Sequence, residues 1–453
     1  MGADPTPPVS RTTGLQLIPQ VILRGPLRHR NFRLFWLGFA ISNLGTWIQT
    51  FALGWLVVEL AVRDGSPQLA PLYLGLVGLA RAVPGFGLGL IAGAVADRSN
   101  GRRVLVLTQL GAAGVSTALA ALTATGNIGV SGVLLLTAIG AAVTAFEGPT
   151  RLTMVTGLVQ DRELMSAVGV SQLAVQVPQI VGPALGGILL LPLHLDGLFL
   201  VTAATYAVAA VTLRQLPPLS LARAVNSVPI YRSIVEGLRY VLHDPVLRSV
   251  IVLSAVVAFC SRPYTFLIPA FAVAILDTDG QGVSVLMSAT GLGALFGGLA
   301  VASLGGVWRR GVLLLGVAVA MGAALMTVAF QHALVPAIAA TMALGVTMVI
   351  FSGIANIILQ TGSHENIRGR VMSIFTMVFL GFMPLGQLVQ GALGSVIGID
   401  LVFQAGGVLT VAAALLVLRG RAIVGLVARG SDQPIFGRDT AEARLTAGDQ
   451  PTR

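Results

Sequence analysis

Apolar segments long enough to cross a lipid bilayer follow one another through most of this chain. A helix needs about 20 apolar residues to span a hydrocarbon core of about 30 Å. Twelve segments approach or exceed that length, at residues 34–60, 72–96, 104–124, 130–159, 164–191, 198–216, 246–276, 283–304, 312–330, 334–359, 371–397 and 401–418. Only 10% of the residues are charged, whereas a soluble domain has about 25%. The pattern predicts an all-α polytopic membrane protein and excludes soluble enzymes, DNA-binding domains and disulfide scaffolds.

The arginines predict how the chain is oriented in the membrane. All 28 basic residues are arginine, a bias in keeping with a GC-rich bacterial genome. If the amino terminus is cytoplasmic, 24 of the 28 lie on the cytoplasmic side and only Arg63 lies outside. Because cytoplasmic loops are enriched in basic residues, we expect a multi-pass protein of the bacterial plasma (inner) membrane with both termini cytoplasmic. These charges lie on short turns, which argues against a nucleic-acid partner despite the net charge of +10.

A polar segment in the middle of the chain divides the spans six and six. The predicted organisation is a cytoplasmic tail at 1–30, a six-helix bundle at 31–216, a cytoplasmic linker at 217–245, a second six-helix bundle at 246–424 and a cytoplasmic tail at 425–453. A surface helix is expected at 231–242 within the linker. Parallel halves of this kind form one known transporter architecture, in which substrate binds near the midplane between them.

The turn after the second span combines an acid with several arginines where lipid gives way to cytoplasm. Gly93 is followed by Asp97, Arg98, Arg102 and Arg103. Such groups can form charge pairs, or place a carboxylate at a helix N-terminus, in one conformation and not in another. We predict a conformational latch here; the alternative is an ordinary basic loop.

The fifth span contains a proline among glycines, in the order Gly182, Pro183, Gly186 and Gly187. Proline removes a backbone donor and bends a helix, and glycines let another helix approach its backbone closely. The combination predicts a bent, closely packed helix, although a simple packing kink would look the same in sequence.

These motifs resemble those of the major facilitator superfamily. The 93–103 turn resembles the signature loop G-x-L-x-D-R-x-G-R-R, with one extra residue before the second glycine. The fifth span is similar to the antiporter motif G-x-x-x-G-P-x-x-G-G, with Pro178 in place of the first glycine. Segments 31–47 and 356–373 resemble the corresponding segments of one exporter branch of this superfamily. This branch includes the enterobactin exporter and is called the transmembrane secretion effector group.

The resemblance implies a fold of two six-helix bundles and the function of a secondary active transporter. The expected activity is efflux of a small amphipathic molecule, either a drug-like compound or a secreted metabolite such as a siderophore, by alternating access and proton antiport. An importer of the same architecture and a non-transporting membrane scaffold or enzyme are the alternatives. The expected partners are the substrate, protons and the lipid bilayer, with the protein a monomer.

A carboxyl group inside the fourth span is the candidate proton carrier. Charged residues within spans are costly and are commonly functional. Glu147 and Arg151 are four residues apart, so they share one face of a helix and can pair. We predict that they couple proton movement to transport; a static, self-neutralising pair is the alternative. Glu59, near the outer end of the first span, is the reserve candidate.

Polar and aromatic residues within the spans are the candidates for the substrate cavity. Arg262 could meet an anionic substrate, and aromatic side chains suit a largely apolar site. Packing and interhelical hydrogen bonds explain such residues equally well. The predicted set is Asn43, Trp47, Gln49, Phe146, Arg262, Tyr264, Phe351 and Asn356. No cofactor or metal is expected, because a phosphate-binding loop needs a lysine and the five histidines lack ligand spacing.

Overall fold

The chain folds into α-helices over nearly all of its described length. A computed structural model describes residues 25–159, 163–217, 230–303 and 309–420. These residues form fourteen α-helices and two short 3-10 turns, and they contain no β-strand. The helices are α1 Arg30–Arg63, α2 Ala70–Arg98, α3 Gly101–Ala124, α4 Val130–Thr144, α5 Glu147–Leu158, α6 Leu164–Arg214, α7 Ile230–His243, α8 Pro245–Cys260, α9 Tyr264–Ala274, α10 Gly280–Ser303, α11 Arg310–Ala329, α12 Leu334–Thr361, α13 Glu365–Ile397 and α14 Ile399–Arg419.

Most of these helices are long and apolar enough to cross a membrane. Within the described residues, eleven helical stretches meet that criterion. One of them belongs to α6, which has 51 residues and is interrupted at His194, where the backbone is not helical (φ 53°). Pro192 lies just before this break, and its missing N–H weakens the helix there. Because α6 therefore supplies two spans, the predicted all-α, twelve-span membrane protein is confirmed.

Two predicted spans are broken near their middle. The segment 130–159 consists of α4 and α5, which are separated at Ala145 and Phe146. The segment 246–276 consists of α8 and α9, which are separated at residues 261–263, where Pro263 lacks a backbone donor. The two breaks place Glu147 at the first residue of α5 and Arg262 between α8 and α9.

By packing, the described residues divide into two compact units. The first unit contains residues 25–53, 80–159 and 163–217, and the second contains 54–79, 230–303 and 309–420. Phe32, Phe35, Leu105 and Met154 belong to the core of the first unit. The hairpin Gly54–Leu79 packs in the second unit although it precedes the linker in sequence. The predicted bundle boundaries, 31–216 and 246–424, stay a prediction.

Small residues bring this hairpin close to the rest of the second unit. A Cβ atom added at Gly75 would lie 2.9 Å from the carbonyl oxygen of Gln387 and 3.0 Å from Cα of Leu388 in α13. The amide of Gln387 donates a hydrogen bond to the carbonyl of Leu74 (2.8 Å). Apolar burial adds little to helix association in lipid, so close packing and such interhelical hydrogen bonds hold the helices together.

The linker contains the expected surface helix, α7, immediately before α8. Asp244 separates α7 from α8 with extended backbone, and its carboxylate accepts hydrogen bonds from the amides of Val246 (2.8 Å) and Leu247 (2.9 Å). Pro245 at the first helical position needs no amide partner. These features end α7 and start α8.

Candidate functional site

A line of hydrogen bonds inside the first unit ends at the carboxyl group of Glu147. The hydroxyl of Ser42 in α1 donates to Oε1 of Gln109 in α3 (2.8 Å). The amide nitrogen of Gln109 donates to Oε1 of Glu147 (2.6 Å). Ser42 and Gln109 are buried and Glu147 is partly buried. The carboxyl group is thereby connected through one amide to the first span.

The guanidinium group of Arg151 packs on an aromatic ring of α1. The ion pairs found among the described residues do not include Glu147 with Arg151. The guanidinium carbon of Arg151 lies 3.9 Å from the centre of the Phe39 ring, in cation–π geometry. Because α5 starts at Glu147, the carboxylate lies at a helix end, where the helix dipole favours negative charge.

A second polar group connects α1 with α6. The hydroxyl of Tyr206 donates to Oε1 of Gln49 (3.1 Å) and lies 3.1 Å from the hydroxyl of Thr46. The amide of Asn43 donates to the carbonyl of Phe39 in its own helix (3.0 Å). Asn43, Trp47 and Gln49 are partly buried. The three predicted cavity residues of α1 therefore lie on the helix that also contributes Ser42 and Thr46 to the polar contacts of the first unit.

The other cavity candidates differ widely in burial. Phe146 is partly buried in the first unit, at the residue before α5. In the second unit, Tyr264 and Phe351 are both 0% exposed, so each is packed within the protein in this conformation. The guanidinium carbon of Arg262 lies 4.7 Å from the centre of the Phe379 ring. Asn356 accepts a hydrogen bond from Gln360, one turn further along α12.

The predicted latch is described only in part. The side chains of Asp97 and Arg98 lie outside the described residues. Arg102 donates through Nη1 to the carbonyl of Leu216 at the end of the sixth span (2.8 Å). Its backbone amide donates to the side chain of Asn100, which caps α3. Arg103 is exposed, and no described atom lies within 4 Å of a Cβ built at Gly93.

The glycines of the fifth span pack directly against the first span. A Cβ at Gly182 would lie 2.5 Å from Cβ of Trp47, and one at Gly186 would lie 2.5 Å from Cδ1 of Phe51. Pro183 and Gly187 are buried beside them. Only glycine allows so close an approach, so the motif works as a contact surface between α6 and α1.

We expect Gly182→Leu to destabilise the protein by about 1–3 kcal/mol, because the added side chain overlaps Trp47. The matched control is Gly169→Leu, in the same helix, where no described atom lies within 4 Å of an added Cβ. Thermal denaturation in detergent should give a lower midpoint for Gly182→Leu than for the control. Equal midpoints would show that this packing contributes little to stability.

Four residues of these networks were not among the predicted site residues: Ser42, Thr46, Gln109 and Tyr206. Gln109 is an uncharged amide within an apolar run, and buried amides need partners. That signal was present, but it does not reveal which side chain a glutamine contacts. The pairing depends on how α3 and α5 pack, and sequence spacing describes only one helix at a time.

Comparisons with known proteins agree on the family. Residues 24–427 match the model of the transmembrane secretion effector family. The multidrug efflux pump Tap of Mycolicibacterium fortuitum is 26% identical over 80% of this chain and 89% of its own length. The staphyloferrin A transporter of Staphylococcus aureus is 25% identical over 81% of this chain and 90% of its own length.

The fold also matches solved transporter structures. The crystal structure of a bacterial homologue of the human lysosomal transporter Spinster superposes with a TM-score of 0.67, at 15% identity, over 89% of this chain and 99% of the other. At that identity the likeness concerns the fold alone. With the family match over most of the chain, these findings show that the protein is a membrane transporter of the transmembrane secretion effector family in the major facilitator superfamily.

Proposed function

We propose that this protein exports a small amphipathic molecule by alternating access, in exchange for protons. The exchange for protons is proposed because the carboxyl group of Glu147 lies, hydrogen-bonded, inside the first unit. Intramembrane acids are commonly parts of proton pathways. The export direction is supported by the efflux pump among the relatives and by the glycine–proline contact surface on α6.

In this proposal Glu147 takes up and releases the proton. As a carboxylate it accepts a hydrogen bond from the Gln109 amide, and as a carboxylic acid it can also donate one. Gln109 also accepts from Ser42 in α1, so a change of charge at Glu147 acts on the first span through a single side chain. Arg151 supplies positive charge on the same short helix and is held by the Phe39 ring.

The substrate class follows from the relatives and from the candidate cavity residues. One relative is named as a multidrug pump and another as a transporter of staphyloferrin A, so a drug-like compound and a siderophore are the two classes to test. Trp47 and Phe146 can supply aromatic surface, Asn43 and Gln49 can supply amide groups, and Arg262 can supply a positive charge. Asn356, which is partly buried, can supply a further amide, whereas the fully buried Tyr264 and Phe351 would contribute only after repacking.

The remaining parts of the proposal concern orientation and assembly. The arginine distribution supports a bacterial inner-membrane protein with both termini in the cytoplasm. Asp97, Arg98 and Arg103 would form the latch at the cytoplasmic ends of α2 and α3, with Arg102 anchored on Leu216. We propose that the transporter acts as a monomer.

Flux across sealed liposomes with an imposed pH gradient tests the proposal. The probes are ethidium, as a drug-like cation, and staphyloferrin A, as a carboxylate siderophore. Two pH units store about 2.7 kcal/mol per proton, enough for up to about 100-fold accumulation in a one-for-one electroneutral exchange. We expect at least one probe to accumulate in vesicles with an acidic interior.

Each other outcome of this experiment would contradict the proposal. Accumulation only with an alkaline interior would mean that solute and proton move together, as in an importer. No gradient-dependent movement of either probe, nor of compounds to which a deletion strain becomes sensitive, would favour a non-transporting role. Empty liposomes measure passive leak.

A further inference from the structure

The linker helix α7 has an apolar side that the rest of the described chain leaves uncovered. Val235 is 37% exposed, Leu238 is 44% exposed and Leu242 is 50% exposed. They are three and four residues apart, so they form one line along the helix; we name these three residues the α7 stripe. The side of α7 that packs against the protein is a different one from the α7 stripe. Val241 is buried, and a Cβ at Gly237 would lie 3.0 Å from Cβ of Arg370 in α13.

The α7 stripe continues onto the exposed side of the neighbouring span. Pro245, Arg248 and Val252 are exposed along one side of α8, which lies in a candidate membrane span. Nη1 of Arg248 lies 3.5 Å from the carbonyl oxygen of Leu242, which connects the end of the stripe to that side of α8. A side of a span with an exposed apolar residue such as Val252 suits contact with lipid, and the α7 stripe adjoins this side.

The charges near the α7 stripe are mainly positive. Arg239 and Arg248 are exposed beside it. Glu236 is the single acid in the sequence of α7, and it forms an ion pair with Arg370. Asp244 is engaged in capping α8. Positive side chains next to an apolar stripe suit the phosphate groups and acyl chains of anionic lipid.

We infer that α7 is an interfacial helix that binds anionic phospholipid. The α7 stripe lies at the boundary between headgroups and acyl chains, and Arg239 and Arg248 contact the lipid phosphate. Each arginine near an anionic surface favours binding by roughly fivefold. The inference concerns the second unit alone and does not depend on which solute is transported or whether protons drive it.

Fluorescence quenching in nanodiscs tests this inference on the full-length protein. A Cys260→Ala background removes the single native cysteine, and Leu238→Cys introduces one for a bimane label. The matched control is His332→Cys, exposed in the turn between α11 and α12. Quenchers are phosphatidylglycerol or phosphatidylcholine with a nitroxide near the top of the acyl chain, and iodide in the water.

We expect nitroxide lipid, rather than iodide, to quench the label at position 238. In mixed-lipid titrations the local preference for phosphatidylglycerol over phosphatidylcholine should be about fivefold or more. Arg239→Gln together with Arg248→Gln should reduce that preference to below about twofold while lipid quenching persists. The label at position 332 should show no such dependence on the two arginines.

Three results would overturn the inference. Strong iodide quenching at position 238 would place the α7 stripe in water. Equal quenching by the two lipids would show that the helix does not prefer anionic lipid. Protection from all quenchers would mean that another segment of this chain, or a second copy, covers the stripe.

Discussion

Glu147→Gln should abolish proton-driven accumulation while leaving the protein folded and inserted. Glutamine keeps the size of the side chain and an oxygen that can accept from Gln109, but it cannot bind and release a proton in the working pH range. The pH-driven part of the flux in liposomes should fall at least tenfold, to the level measured without a gradient. Exchange of labelled for unlabelled solute needs no net proton movement, so it should persist.

The control for this substitution is Glu365→Gln, an exposed acid at the first turn of α13. It removes the same charge outside the first unit and should keep the full response to pH. Glu59→Gln tests the reserve candidate in the same assay. If Glu147→Gln responds to the gradient as the unmodified protein does, Glu147 takes no part in coupling. If Glu59→Gln alone loses the response, the carrier is Glu59.

Gly75→Val should reduce transport by roughly fivefold or more without lowering the amount of protein in the membrane. The added side chain would meet the backbone of α13 at Gln387 and Leu388, and backbone cannot rotate away as a side chain can. Overpacking of this kind costs about 1–3 kcal/mol. If the transport cycle passes through a state with this contact, that penalty depopulates the state by roughly 5- to 150-fold.

Gly87→Val is the matched control, because it places the same side chain in the same helix where no described atom lies within 4 Å of a Cβ. It has the same cost in helix propensity, so the difference between the variants isolates the contact with α13. Gly75→Ala should give an intermediate rate. The measurements are solute exchange in liposomes and protein yield by fluorescence-detected size exclusion. Equal rates for Gly75→Val and Gly87→Val would show that transport does not require this contact.

Sequence patterns were sufficient for the fold because lipid imposes simple rules. Backbone groups in a bilayer must be satisfied within the segment, which favours helices, and helix length follows from bilayer thickness. The spans predicted at 164–191 and 198–216 correspond to the two parts of α6 on either side of His194. The surface helix expected at 231–242 is α7.

The candidate site was less predictable, because its contacts join residues far apart in the chain. The i, i+4 spacing of Glu147 and Arg151 suggested an ion pair, but it says nothing about Gln109, 38 residues away. The break at Ala145 and Phe146 also gives Glu147 a helix end as its environment. For Gly182 and Gly186, the motif predicted close packing, and only the structure identified Trp47 and Phe51 as the partners.

The placement of the hairpin Gly54–Leu79 has a consequence for biosynthesis. Leu74 accepts its hydrogen bond from Gln387, which is 313 residues further along the chain. At about 5–20 residues per second, the ribosome takes roughly 15 to 60 s to produce that partner. Part of the hairpin's helical surface therefore enters the membrane long before its native neighbours exist, and lipid or insertion factors must cover its glycines until the penultimate span is released.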